Sequence, residues 1–389
     1  VDLSRSGCKN GAVLKSDGLI LDGSSASADV FGHELGGLSP IDAVIRERKI
    51  RLPHRYLLAD FEKKYDFKIS NYIITGGDPF LNNNWFDISL DLVKRGKSLS
   101  FLGNPELLSG DILEKLSQLS IVSYQLSIDG LKATHDIIRG EGSFSRTICA
   151  IKKLNSYNIP ISIMYTISND NVVELFDVIQ YLDALNIKMI FSFDFVIQVG
   201  NAKNNGLHHS FDKIGLYKKY IETKNELIAK KSAVYLTDKP STLFAYSNYN
   251  LNDALFERNQ FSVCGGCGAG WRHITIIKKG DVLACRRLPK VVGNLMTDSF
   301  ENIFLNSDLM KKFRDISNQG RCSSCLFNKY CRGCPADSYA LTSDLFKYND
   351  DCVWYKEKKV QDNIISMSEM EKIRNTLFNR MISDNVLDN

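Results

Sequence analysis

Between about Leu19 and Phe195, short apolar runs alternate with stretches of helical period. Ser70 to Thr75, Leu99 to Leu102, Ile121 to Ile128, Pro160 to Ile167 and Ile187 to Phe195 are β-branched or aromatic runs of strand length. Val172, Leu175, Phe176, Ile179 and Leu182 recur at helical spacing and form one apolar stripe, with Asn169 or Asp170 placed to cap it. Phe86 to Val93 and Ile112 to Leu119 repeat the helical pattern more briefly. Strands that alternate with helices predict an α/β fold: a parallel sheet with helices outside, open or closed into a partial barrel.

Ligands in such folds gather where the strands end. Here those ends read Gly76-Gly77-Asp78-Pro79, Gly103-Asn104 and Asp129-Gly130. Taken singly each is an ordinary turn, because Gly and Asn reach positive φ at little cost. Beyond the alternating region, Asn201 to His209 reads as a loop and Phe211 to Lys231 as a helix, in a polar bridge over about 201–262. The adjacent His208-His209 pair reads as exposed loop rather than metal site. Arg272 to Ile277 and Val282 to Ala284, joined by Lys278-Lys279-Gly280-Asp281, read as a β-hairpin, and Tyr355 to Ile382 as a charged helical tail.

The strongest chemical signal is the placement of sulfur. Eight of the ten cysteines fall between Cys264 and Cys352. They run Cys264-x₂-Cys267, Cys285, Cys322-x₂-Cys325, Cys331-x₂-Cys334 and Cys352, enough thiolates for two four-cysteine metal sites. Spacing alone suits Zn²⁺ and iron–sulfur clusters equally. Upstream there are only Cys8 and Cys149.

Composition narrows the class. A chain of 389 residues with 44% hydrophobic and 24% charged residues is long enough for about two globular domains. The net charge of +4, spread over 49 basic and 45 acidic residues, gives no case for nucleic acid. No apolar run approaches the ~20 residues of a membrane span, and no secretory signal opens the chain. A cytoplasmic, reducing setting is therefore expected, which favours metal over disulfides. Val1 in place of methionine suggests a trimmed N-terminus.

Together these pieces resemble the radical S-adenosylmethionine enzymes with a C-terminal SPASM domain, which mature peptides and proteins. Ile73 to Leu81, with Gly76-Gly77-Asp78-Pro79, is similar to that family's strand and Gly-Gly-Glu-Pro turn. Gln125-Leu126-Ser127-Ile128-Asp129-Gly130, His135-Asp136, Ile138-Arg139-Gly140 and Gly142-Ser143-Phe144 resemble its next motif, and Gly293-Asn294 and Cys331-Arg332-Gly333-Cys334 its SPASM portion. The resemblance implies a partial (β/α)6 TIM-like barrel over 19–200, preceded by an N-terminal segment (1–18). It also implies a cysteine-rich SPASM iron–sulfur domain over 263–355 and a tail over 356–389.

It further implies that Gly76, Gly77, Asp78, Asn104, Ser127 and Asp129 lie around S-adenosylmethionine. Asp78 keeps a carboxylate but is one methylene shorter than the family's Glu. By the same similarity Cys264, Cys267, Cys285 and Cys334 hold one auxiliary [4Fe–4S] cluster, and Cys322, Cys325, Cys331 and Cys352 the other.

One departure dominates. Active members carry Cys-x₃-Cys-x₂-Cys just after the first barrel strand, and three thiolates hold the radical cluster there. With strand one at Leu19 to Leu21, the motif would fall near Ser24 to Phe31, which contains no cysteine. Binding of S-adenosylmethionine is correspondingly in question, and no catalytic residue is assigned. The expectation is a degenerate member: an accessory, peptide-binding or electron-relay protein whose partner is a precursor peptide, an active radical maturase subunit, or both. The alternatives are an active maturase with a non-standard cluster site, and a zinc-stapled scaffold.

Overall fold

The protein is known from a computed structural model that describes residues 41–46, 69–240, 242–243, 266–277, 280–325, 328, 331–347 and 352. Cys264, the Ser24–Phe31 stretch and the charged tail lie outside the described residues.

Ten strands form one sheet: β1 (Ile41–Arg46), β2 (Ile69–Thr75), β3 (Ser98–Leu102), β4 (Ser123–Ser127), β5 (Ile161–Ile167), β6 (Met189–Phe195), β7 (Val234–Leu236), β8 (His273–Ile276), β9 (Asp281–Leu283) and β10 (Val291–Asn294). Their order is β10-β9-β8-β1-β2-β3-β4-β5-β6-β7. Strands β1 to β7 and the β1–β8 pair are parallel, and the β8–β9–β10 ribbon is antiparallel. Strands β1 to β6 are sequential and parallel and make the partial barrel, and the crossovers from β2 to β6 contain helices. Strand β8 then splices the cysteine-rich part onto its β1 edge.

This corrects two expectations. The parallel partner of β2 is Ile41–Arg46 rather than a strand at Leu19–Leu21, which lies outside the described residues. The bridge is not wholly helical, since β7 extends the sheet beside β6.

Crossover helices α1 (Trp85–Lys94), α2 (Gly110–Gln118), α3 (Lys132–Arg139), α4 (Ser143–Ser156) and α5 (Leu175–Ala184) follow their strands. Helix α2 starts because the Ser109 hydroxyl accepts from the amide of Ile112 at 3.4 Å, and it buries Leu113 and Leu116. In α5 the stripe Leu175, Phe176, Ile179 and Leu182 is buried as its period requires, while Val172 falls in a preceding 3₁₀ turn. Neither expected cap acts there. Asn169 instead bonds Ser210 through its side chain, accepting from the Ser210 amide at 2.8 Å.

Downstream, a short helix α6 (Asn201–Asn204) interrupts the expected loop, and α7 (Lys213–Ala229) starts at Asp212, whose side chain accepts from Ile214. Among the described residues the last two α-helices are α8 (Asp308–Arg314) and α9 (Pro335–Thr342). Large aromatics on the helix-facing side of the sheet, Phe101, Tyr124, Tyr165, Phe191 and Phe193, are fully buried. Each contributes about 1.5–3 kcal/mol of apolar burial.

Candidate cofactor and metal centre

The strand-end turns meet at the C-terminal rim of the barrel. After β2, Gly76 and Gly77 take φ of 112° and 60°, values that favour glycine. The turn delivers Asp78 inward, 3% exposed, where Oδ1 accepts from the amide of Phe80 at 2.9 Å and Oδ2 from the amide of Asn104 at 2.5 Å. Both carboxylate oxygens are thus engaged by main-chain donors on two loops. Burial pushes the Asp78 carboxyl up to about 6, against the lowering effect of those two amides. Asp78 thereby clamps the β2 and β3 ends together. Asn104 is exposed, and its side chain caps the Pro105–Leu107 turn by accepting from Glu106 at 3.0 Å.

Gly103 has a steric reason to be glycine. A Cβ there would stand 2.2 Å from the Tyr124 hydroxyl and 3.1 Å from Asp78 Oδ2.

Both carboxylate oxygens of Asp129 are likewise engaged. Its Oδ1 accepts from the amide of Thr166 at 2.7 Å, and Oδ2 takes the guanidinium of Arg139. Its amide donates to His135 Nδ1 at 3.0 Å, and its carbonyl accepts from Asn171 Nδ2 at 3.0 Å. Asn171 also accepts from Ser168 and donates to the Thr166 carbonyl. Asp129, His135, Arg139 and Asn171 so tie β4, β5 and α3 into one buried knot. Burial holds His135 down to about 4, so it is neutral at pH 7. Ser127, half-buried at the end of β4, and the half-exposed Gly76–Gly77 backbone remain as the open part of the rim.

In the second half the described cysteines crowd together in buried surroundings, and Cys331 is pushed up by burial and then by Cys352, Cys325 and Cys267. After burial, Cys267 is a cause of the raised Cys285 thiol, and Cys267 and Cys285 both push up Cys334. Cys322 is likewise raised by burial and then by Cys331, Cys352 and Cys325. Thiols gathered in low dielectric resist ionising together, and a bound cation reverses that. Among the described residues no group of three or more His, Cys, Asp or Glu closes around one metal position. The grouping, not a finished coordination shell, is what the structure carries, and its soft donor set fits iron–sulfur or zinc.

Two of these cysteines are also joined through the main chain. The Cys267 amide donates to the Cys331 carbonyl at 3.1 Å, and Arg332 donates back to the Cys267 carbonyl through Nε at 3.0 Å. Arg332 is 2% exposed and left-handed, with φ 57°, between Cys331 and Gly333.

Several supporting residues carry no motif signal. Asn328, buried, donates to Gln319 Oε1 at 2.8 Å and to the Cys322 carbonyl at 2.6 Å, bracing the Cys322–Cys325 turn. Arg314 at the end of α8 donates to the Gly270 carbonyl at 2.6 Å and lies 4.6 Å over the Phe304 ring. Arg287 crosses to the barrel, where it pairs with Asp194 of β6 at 2.6 Å.

Comparison with known proteins agrees with this architecture. Residues 43–182 match the radical SAM superfamily, starting within β1, and residues 267–335 match the SPASM iron–sulfur cluster-binding domain. The chain carries a radical SAM domain followed by a SPASM domain. The AdoMet-dependent heme synthase of Methanosarcina barkeri is 28% identical over 298 residues, covering 74% of this chain and 83% of that one. The subtilosin biosynthesis protein AlbA of Bacillus subtilis is 28% identical over 321 residues, covering 78% of this chain and 66% of that one.

Among solved structures, Streptococcus suis SuiB bound to S-adenosylmethionine superposes with a TM-score of 0.64 at 15% identity, over 81% of this chain and 77% of that one. The fold is thus shared. SuiB has also been solved with its precursor peptide SuiA.

The family match opens inside β1, and the chain after Arg46 reads Glu47-Arg48-Lys49-Ile50-Arg51-Leu52-Pro53. No cysteine stands between Cys8 and Cys149, so neither this stretch nor Ser24 to Phe31 contains one.

Proposed function

We propose that this protein is a radical SAM/SPASM member that has given up the radical cluster and kept two auxiliary [4Fe–4S] clusters. The single observation that carries this reading is the distribution of sulfur: no cysteine from residue 9 to 148, and eight from 264 to 352. Cys267, Cys285 and Cys334, with Cys264, would hold one cluster, and Cys322, Cys325, Cys331 and Cys352 the other. Such clusters supply one-electron storage and transfer.

The commitment of Asp78 and Asp129 to main-chain and arginine partners supports the same reading, because both carboxylates are spent on holding the rim together. With the rim intact and the initiating cluster absent, the role is accessory: binding a ribosomally made precursor peptide, relaying electrons to an active maturase subunit, or both. AlbA and SuiB motivate the peptide, since one is a bacteriocin biosynthesis protein and the other is solved with its precursor.

Anaerobic purification with iron, sulfide and zinc counted per chain tests the assignment. About eight irons and eight sulfides are expected from two four-iron clusters. About twelve irons would restore the radical cluster and an active enzyme, and zinc alone would make the cysteine part a structural staple.

A further inference from the structure

Buried positive charge is concentrated in the cysteine-rich part. Among the described residues the buried arginines are Arg286, Arg314 and Arg332, at 7%, 3% and 2% exposed, and all three follow Cys267 in the chain. The Arg287 side chain is also largely withdrawn from water. A guanidinium keeps its charge at any working pH, so burying it demands acceptors or anions. Arg314 is accounted for by the carbonyls of Gly270, Phe304 and Leu305 around the end of α8.

The other three converge on one group of thiols. Arg286 and Arg287 directly follow Cys285, and both act on its sulfur. Arg287 acts on Cys334 as well. Arg332 follows Cys331 in sequence, but from its left-handed backbone it reaches the Cys267 carbonyl, donating through Nε at 3.0 Å. Its guanidinium stands 5.7 Å from the ring of Trp271, whose buried Nε1 has no hydrogen-bond partner among the described residues. Two carboxylates oppose these charges: Asp194, paired with Arg287, and Asp337, which acts on Cys334. Three cations against two anions leave this group net positive, and Arg272 joins Arg286 and Arg332 around His273 beside it.

The surroundings of Cys322 and Cys331 differ. Beyond burial, the leading influences on these two are other cysteines and the Gly333 amide. Main-chain donors do not separate the two groups, because the Arg287 amide bonds the Cys285 sulfur as the Gly333 amide bonds that of Cys331. The difference between them is charge.

We propose that these arginines set the order in which the two clusters take up electrons: the cluster on Cys267, Cys285 and Cys334 has the higher reduction potential and is reduced first. The inference rests on the two-cluster reading above. A four-thiolate cluster is anionic and becomes more so on reduction, so buried cations beside it favour the reduced form. The unpartnered Trp271 N–H, four residues after Cys267, is a further donor on the same side. Since Arg287 ties this group to Asp194 of β6, the first electron is held on the side facing the barrel.

The test is a redox titration followed by electron paramagnetic resonance on the anaerobically reconstituted full chain, with iron and zinc counted beside it. Two separate one-electron steps are expected, and Cys325→Ala keeps only the higher. Arg287→Gln lowers that step by about tenfold in the reduction equilibrium, or about 59 mV, and Arg332→Gln lowers it in the same direction. Asp194→Asn raises it by removing an opposing charge, and Arg287→Lys leaves it near the wild-type value. Shifts of opposite sign follow from charge, whereas a purely structural role of the pair would move both variants alike. The proposal fails if Cys325→Ala keeps the lower step, if the two steps coincide, or if Arg287→Gln and Asp194→Asn shift the potential the same way. About eight irons with any of those results would overturn this inference alone, and zinc in place of iron would overturn it together with the two-cluster reading.

Discussion

Arg287 and Asp194 join the two halves of the molecule: the arginine Nη1 donates to the aspartate Oδ2 at 2.6 Å, and its Nη2 to the Phe195 carbonyl at 3.1 Å. Arg287 stands two residues past Cys285, and Asp194 lies near the rim end of β6. With side chains 17% and 18% exposed, the pair is largely withdrawn from water. The geometry holds one set of cysteines to the barrel mouth.

A double-mutant cycle on this pair is therefore expected to show coupling. Arg287→Met and Asp194→Asn each destabilise, and the double variant loses less than their sum, with a coupling of about 1–3 kcal/mol from denaturant melts. Strict additivity would mean that the two halves are held by β8 and the core alone.

The buried Asp78 carboxyl makes stability depend on pH. Its folded value of about 6 lies above the ordinary 3.8, so the folded state keeps a proton that the unfolded state releases. By linkage, stability falls as pH rises from about 4 to about 6 and is then level, with a span of roughly 3 kcal/mol at most. Asp78→Ala removes that slope while losing two main-chain hydrogen bonds. The wild-type advantage over the variant is thus largest near pH 4 and shrinks toward pH 7. Parallel melts across that range check it, and a wild-type advantage that grew with pH would reverse the assignment.

Gly103 and Tyr124 make a steric prediction. Gly103→Ala drives a methyl against the Tyr124 hydroxyl and is expected to cost about 1–3 kcal/mol. The buried hydroxyl has no hydrogen-bond partner, so Tyr124→Phe alone is neutral or mildly stabilising. Combined, Tyr124→Phe recovers part of the Gly103→Ala loss, as a thermal melt would show.

Cys325→Ala is expected to remove one cluster and spare the other, leaving about four irons per chain. The buried Cys325 is one of the thiols that push up Cys322, and the proposed function assigns it to the cluster of Cys322, Cys331 and Cys352. Unchanged iron would place the ligands elsewhere.

The alternation of strand and helix was legible because parallel strands buried on both faces read as continuous apolar runs, and β2, β3, β5 and β6 begin within two residues of expectation. Strand β1 was missed because Ile41-Asp42-Ala43-Val44-Ile45-Arg46 carries charge at both ends and resembles a loop. β7 was missed because three residues give no period.

At the site, the cysteine spacing was visible, but the tasks of the barrel carboxylates were not. A motif gives residue types, whereas Asp78 and Asp129 are defined by partners 26 and 37 residues away, at Asn104 and Thr166.

The central claim is that the barrel lacks its radical cluster, and cleavage of S-adenosylmethionine tests it most directly. The anaerobically reconstituted chain is reduced with dithionite in the presence of S-adenosylmethionine, and 5′-deoxyadenosine is measured by chromatography. The expected result is none above a control without protein, from a preparation whose auxiliary clusters are full. One or more equivalents of 5′-deoxyadenosine per chain would contradict the account.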